Sequence, residues 1–444
     1  MKIPFQTPAR KRTVAAIALV IAALYVGQAA RQFVATWLGN RVEVKSLERA
    51  AWLDPGDADY RNHLGRYYDL VARDPATALG QYKAAVQLNP HSARYWFDLA
   101  SVYQVLGDTA SQTAALEHAI QADSMTPDVA WEAANLYLVQ GENEKALHEF
   151  SIVMANDTSL AGSSIRFCWR INPDVDALLR DVVPHKADAY IAFLGLLQRD
   201  AFDKSQKILS PDDDTDVPSL TQQVENETSG SFKVWNALIQ THQPFEVRQV
   251  RDYFQFLILH KQVDEAVQVW QQAASQFKFT SYLPSPSNLV VNGNFSLDIL
   301  NRGFDWQYQK QPGVTLTLDP SESHGGRRSF LIEFDGPGIN EAGIYQFIAV
   351  QPSTTYQFSG YYKTKEELQG AGGPHFTILD GYSPAVYFDS DELKESGFWK
   401  SVDGEFTTSP DCKLIVLRVR RLPAGSPIRG KLWIDDFHLA KKPT

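Results

Sequence analysis

The chain has 444 residues, 44% of them apolar and 21% charged, with a net charge of -10. This composition excludes disordered, collagenous and multi-span membrane classes, and the acidic balance argues against nucleic acid as a partner, which calls for a basic face. Two cysteines, Cys168 and Cys412, are too few for a disulfide framework. At roughly 150 residues per domain, the length suggests about three structural units.

Residues 1–40 hold Lys2, Arg10, Lys11, Arg12 and Arg31 and no acid, so this end carries +5 and the remainder -15. Thr13–Ala30 is an eighteen-residue stretch without charge, near the lower limit for crossing a hydrocarbon core. The basic cluster before it predicts a cytoplasmic N-terminus and an exported body. The segment reads either as an uncleaved anchor or as a signal peptide cut after Ala29; its length favours the anchor. No cysteine follows the segment to carry a lipid.

Residues 41–280 contain a repeat. Trp96, Leu99, Ala100, Tyr103, Gly107, Leu116 and Ala119 are each followed 34 residues later by Ala130, Ala133, Ala134, Tyr137, Gly141, Phe150 and Val153. A preceding copy (Leu64, Gly65, Tyr68, Ala78, Tyr82, Ala85, Pro90) has one extra residue at its inner turn. Small residues let paired helices approach, tyrosines fill the space beside them, and glycines turn the chain. The spacing resembles a tetratricopeptide-repeat array. The pattern is clearest over 58–160 and 247–280, with Tyr253, Leu257, Ala266, Trp270 and Ala273 in the later copy. The insert at Ser210–Gly230, with Asp212, Asp213, Asp214 and Asp216, reads as an exposed acidic loop. Such hairpins stack into a solenoid, and the resemblance implies a protein partner on its concave groove. The residues expected there are Asn62, Arg66, Asp69, Arg94, Asp98 and Asn135.

Composition changes near residue 281. The first 280 residues hold 10 glycines and 39 alanines; the rest hold 17 glycines and 6 alanines. Alanine favours helix, while glycine with β-branched and aromatic residues favours strands and turns. Pro284–Ser287 reads as a linker over 281–287. Thr355–Tyr361 and Lys413–Arg420 alternate with period two, as half-buried strands do. The predicted architecture is therefore multidomain α + β: a membrane helix over 1–40, an α-solenoid over 41–280 and an antiparallel β-sandwich over 288–444.

The strings Asn288–Phe295, Gly343–Lys363, Trp399–Thr408 and Leu432–Leu439, in that order, resemble jelly-roll carbohydrate-binding modules with a galactose-binding-like fold. The resemblance implies sugar stacking on aromatic faces, with Trp306, Tyr308, Tyr361, Tyr362, Tyr382 and Tyr387 as candidates. It also implies a structural calcium site at Asp436 beside Asp435, although Ser296 stands where the family offers an acid. Gly425–Lys431 imitates a phosphate loop, but Leu432 follows where Ser or Thr is needed.

No catalytic motif is present, so the expectation is a non-catalytic, membrane-anchored bacterial envelope protein. Its body would lie outside the inner membrane, in polysaccharide assembly or export. A pure protein scaffold and a glycoside-active enzyme remain the alternatives.

Overall fold

The computed structural model describes residues 8–41, 43–212, 215–336, 338–421 and 426–443. Asp213, Asp214 and Gly425, named above, fall outside them, as does Lys2. The helices run α1 (Pro8–Gly39), α2 (Val44–Leu53), α3 (Ala58–Arg66), α4 (Pro75–Leu88), α5 (Ala93–Leu106), α6 (Thr109–Ala122) and α7 (Pro127–Gln140). They continue as α8 (Asn143–Asn156), α9 (Ala161–Ile171), α10 (Val175–Asp181), α11 (Ala187–Leu209), α12 (Val217–Gln240), α13 (Val247–Leu259) and α14 (Val263–Gln276). The chain forms two compact units, one ending at Leu196 and the other beginning at Leu197, inside α11.

In the first unit α1 is continuous through the charge-free stretch and on to Gly39. Among the described residues it is the one helix long and apolar enough to cross a membrane, a test that a signal sequence also passes. Leu19, Leu24 and Tyr25 are exposed along it, whereas Ala35 and Gly39 are buried against Leu47, Ala50, Tyr60 and Leu64. A Cβ at Gly39 would stand 2.3 Å from Tyr60 Cε1. The last turns of α1 therefore belong to the helical array.

The array consists of helical pairs. α5 and α7 start 34 residues apart and so do α6 and α8. Gly107 and Gly141 end α5 and α7 at φ +75° and +78°, a left-handed turn that side chains resist. Asp108 then caps α6 by accepting from Ser111 N at 3.1 Å. The extra residue in the earlier copy is absorbed by a π-helical turn at Tyr67–Val71, where Ala72 N donates to Tyr67 O at 3.0 Å. The array core is Ala78, Tyr82, Ala85, Tyr95, Leu99 and Ala100.

In the second unit, much of the expected acidic loop is helical. α12 begins at Val217, with Pro218 in its first turn and Asp216 accepting from Ser219 N at 3.2 Å. A capping aspartate followed by an early proline is a helix-start signal. After α14, Trp270 Nε1 donates to Tyr282 O at 3.0 Å, and Phe254 meets Phe304 edge-on at 4.9 Å. The Pro284–Ser287 segment is bridged by Ser285 and Asn288.

Eleven strands follow among the described residues: β1 (Gln307–Tyr308), β2 (Val314–Asp319), β3 (Ser329–Asp335), β4 (Glu341–Ala349), β5 (Thr355–Thr364), β6 (Gln369–Gly370), β7 (Pro374–Asp380), β8 (Val386–Asp389), β9 (Lys400–Thr407), β10 (Leu414–Arg421) and β11 (Ile428–Lys441). They make two antiparallel sheets, ordered β1-β4-β10-β7-β8 and β2-β3-β11-β5-β9, with β6 beside β11. Between them lie Phe295, Phe330, Phe358, Phe376, Ile434 and Phe437. The opening and closing strings meet. Asn288 Oδ1 accepts from Val290 N and Leu439 N, both at 3.0 Å, and its Nδ2 donates to Phe437 O at 3.0 Å. The fold is the expected one, helices first and antiparallel sandwich last.

Candidate functional site

One register row crosses the whole first sheet: Gln307, Tyr345, Arg418, Thr377 and Asp389, one residue from each strand. In a pleated strand alternate residues share a face. Ile344, Ile348, Leu417 and Val419, neighbours of the opposite parity, are in the core, so the row lies on the outer face. Tyr345 Oη donates to Gln307 Oε1 at 3.2 Å, and Thr377 Oγ1 donates to Asp389 Oδ1 at 2.8 Å. Arg418 Nη1 and Arg420 Nε stand 3.2 and 3.3 Å from Glu341 Oε1. Burial pushes the Glu341 carboxyl up, and the two guanidiniums pull it back. Tyr345 meets Phe347 edge-on at 5.4 Å. Gln307 and Thr377 are buried, so what the row leaves open to a ligand is Arg418 and Asp389 beside the half-buried Tyr345, a small mixed aromatic and polar surface.

The α13–α14 hairpin bounds one end of this sheet. Tyr382 Oη, after β7, donates to Ile258 O at 2.8 Å. Lys413 Nζ, before β10, pairs with Asp264 at 2.6 Å. Phe347 and Ala349 share a small cavity with Val267 and Trp270.

The aromatic candidates from the sequence scatter. Trp306 is 1% exposed, held between Phe295 and Phe437 at 5.2 and 5.1 Å, and Tyr362 is also buried. Neither ring has a face open to a ligand: Tyr362 has the inward parity of β5, and Trp306, just before β1, is enclosed by the two phenylalanines. Tyr361 is half-buried on the other sheet and its ring is covered by His324 at 3.6 Å. Tyr382 is engaged by the hairpin. Tyr387 stacks on Phe406 and donates to Asp380 Oδ2 at 2.9 Å. Tyr308 is exposed at the sheet edge. Tyr345 and Arg418, on the outer face, are not among the sequence candidates; Arg418 lies in the alternating Lys413–Arg420 run and Tyr345 in the Gly343–Lys363 string.

At the strand junction, Asp435 Oδ2 accepts from His324 N and Gly325 N at 2.7 and 3.2 Å, and its Oδ1 accepts from Asp436 N at 2.8 Å. Asp436 Oδ2 lies 3.1 Å from His324 Nδ1. Arg328 reaches Phe295 O and Asp298 at 2.9 and 2.7 Å. Calcium needs six to eight oxygens. Here both Asp435 oxygens serve backbone N–H groups and the Asp436 carboxylate meets the His324 ring, so this set falls short of the oxygens the ion needs. No cluster of three or more metal-ligating side chains occurs among the described residues.

In the helical array the partner candidates largely converge. Asn62 Nδ2 donates to Asp98 Oδ2 at 2.8 Å, but Asn62 is itself buried. Burial and the nearby Asp98 push the Asp69 carboxyl up. Glu132 on α7 lies in the field of Arg66, Arg94 and Asp98 and extends the cluster. Asn135 turns back to donate to Trp131 O at 2.7 Å.

The chain thus carries an antiparallel β-sandwich after a helical region. Residues 287–423 match the family described as a carbohydrate binding domain; this covers about a third of the chain. Among solved structures, similarity extends to a CBM4 module (18% identity, 34% of this chain and 99% of that one, TM-score 0.28). It extends also to a xylan-binding CBM22 domain from Paenibacillus barcinonensis (17%, 34% and 93%, 0.25) and to MamA protein (15%, 45% and 80%, 0.22). No curated protein matches the chain.

Proposed function

We propose that this is a non-catalytic bacterial envelope protein, anchored in the inner membrane by α1, that binds a glycan across the outer face of the first sheet. The tetratricopeptide-like array holds a protein partner, and the assembly serves polysaccharide synthesis or export. The observation that carries the glycan reading is the half-buried Tyr345 beside Arg418 and the exposed Asp389 on the outer face of the first sheet, on a segment matching a carbohydrate binding domain. The absence of catalysis is supported by the engagement of the face's carboxylates: Glu341 by two arginines and Asp389 by Thr377.

The test is titration of the full chain, in detergent, with neutral and acidic envelope polysaccharides. Tyr345→Ala is expected to weaken binding about tenfold through the lost ring contact, and Arg418→Ala by a comparable factor through lost hydrogen bonds. Full affinity in both folded variants excludes this face. Release of reducing ends from any bound polysaccharide would reverse the non-catalytic reading. The scaffold alternative draws support from the internal engagement of Tyr361, Tyr382 and Tyr387, and predicts no glycan binding at all.

A further inference from the structure

The end of α1 forms one wall of a groove of about 440 Å³ lined by Gly39, Arg41, His63, Arg66, Tyr67 and Leu70, among others. Among the described residues no acidic side chain lines it, although the chain as a whole is acidic. Its rim carries unusual apolar exposure. Leu70 and Val71 are 65% and 62% exposed, presented by the π-helical turn at Tyr67–Val71. Such turns displace side chains from the regular helical face and are frequent at functional sites. On the α1 side, Phe33 and Trp37 are exposed as well, and Arg41 places its guanidinium 3.8 Å over the Trp37 ring.

The position on α1 sets the depth of the groove. Thr13–Ala30 spans about 27 Å at 1.5 Å per residue, close to the hydrocarbon thickness of about 30 Å. α1 as a whole, 32 residues, is about 48 Å long, against about 40–45 Å for a bilayer with both headgroup layers, so with Arg10–Arg12 in one headgroup layer Trp37 and the Gly39 end reach the other. Basic donors and exposed apolar side chains thus meet at headgroup level. We propose that this groove binds the phosphate headgroup of an anionic phospholipid from the bilayer that α1 crosses. Arg41 and Arg66 hold the phosphate, and Leu70 and Val71 rest against the apolar glycerol end of the same lipid. The proposal depends on the membrane reading given above.

The full chain is reconstituted into vesicles of phosphatidylcholine containing phosphatidylglycerol, and the phosphatidylglycerol retained per chain is counted by native mass spectrometry. Retention of phosphatidylglycerol over phosphatidylcholine is expected, falling about fivefold for each guanidinium removed in Arg41→Gln and Arg66→Gln. Leu70→Ser with Val71→Ser is expected to lower retention while leaving the melting temperature unchanged. Wild-type selectivity in the double arginine variant overturns the proposal. Complete displacement by millimolar inorganic phosphate also overturns it, in favour of a free anion. Loss of the chain from vesicles in an alkaline wash overturns the membrane reading, and the bilayer ligand with it. Stable insertion without lipid preference overturns the groove alone.

Discussion

Asp305 is fully buried just before β1, and its carboxyl is pushed up to about 7 because burial strips water from the charged form; hydrogen bonds from Leu300, Trp306 and Asn292 offset this only in part. The unfolded carboxyl ionises near 3.9. Below about pH 4 both states hold the proton, so Asp305 makes no difference. Between about 4 and 7 only the folded state holds it, so stability falls as pH rises through that window. Glu227, also raised to about 7 by burial, acts with the same sign. Calorimetry is expected to show the second unit melting lower at pH 8 than at pH 5, with a shallower slope in Asp305→Asn. An unchanged slope in that variant assigns the titration elsewhere. At this scale the sequence was legible in residue type more than in direction. Tyr361 and Tyr362 are adjacent, so period two allows only one to face out, but the strand alone does not say which. That choice is made by pairing, where Tyr362 joins the core and Tyr361 stacks beneath His324.

The elements show where periodicity suffices and where it stops. The 34-residue offset located α5 to α8, and the extra residue of the earlier copy marked the π-turn, because helical period and turn glycines are local properties. α12 was mistaken for loop because its aspartates suggested solvent, whereas Asp216 is a cap. The contact between α13–α14 and the sandwich was not legible. It depends on Phe254, Trp270 and Phe304 meeting across some fifty residues. This contact predicts that a fragment of residues 281–444 is less stable than one of 197–444. Uncovering a large buried side chain costs roughly 1.5–3 kcal/mol, so a melting temperature about 3–12 °C lower is expected. Equal melting temperatures would mean that the hairpin contributes nothing to the sandwich. The exposed Lys413–Asp264 pair adds little.

Across the whole molecule, composition was the most informative signal. The alanine-rich part is helical and the glycine-rich part is a sandwich, because those residues differ in backbone freedom and helix propensity. The charge-free N-terminal stretch was equally plain, but its junction with the array was not, since it turns on Gly39 lying beneath Tyr60. Gly39→Val is expected to open that junction, seen as faster proteolysis between residues 31 and 45 with the array otherwise intact. Unchanged cleavage would show that the packing tolerates a side chain. Because α1 runs unbroken from Pro8 into that packed junction, the array has no swivel at its base. Were α1 to cross a bilayer, a sideways pull on the array would reach the lipid as tilt of the helix rather than being lost in a slack tether, and the helix would work as a lever arm.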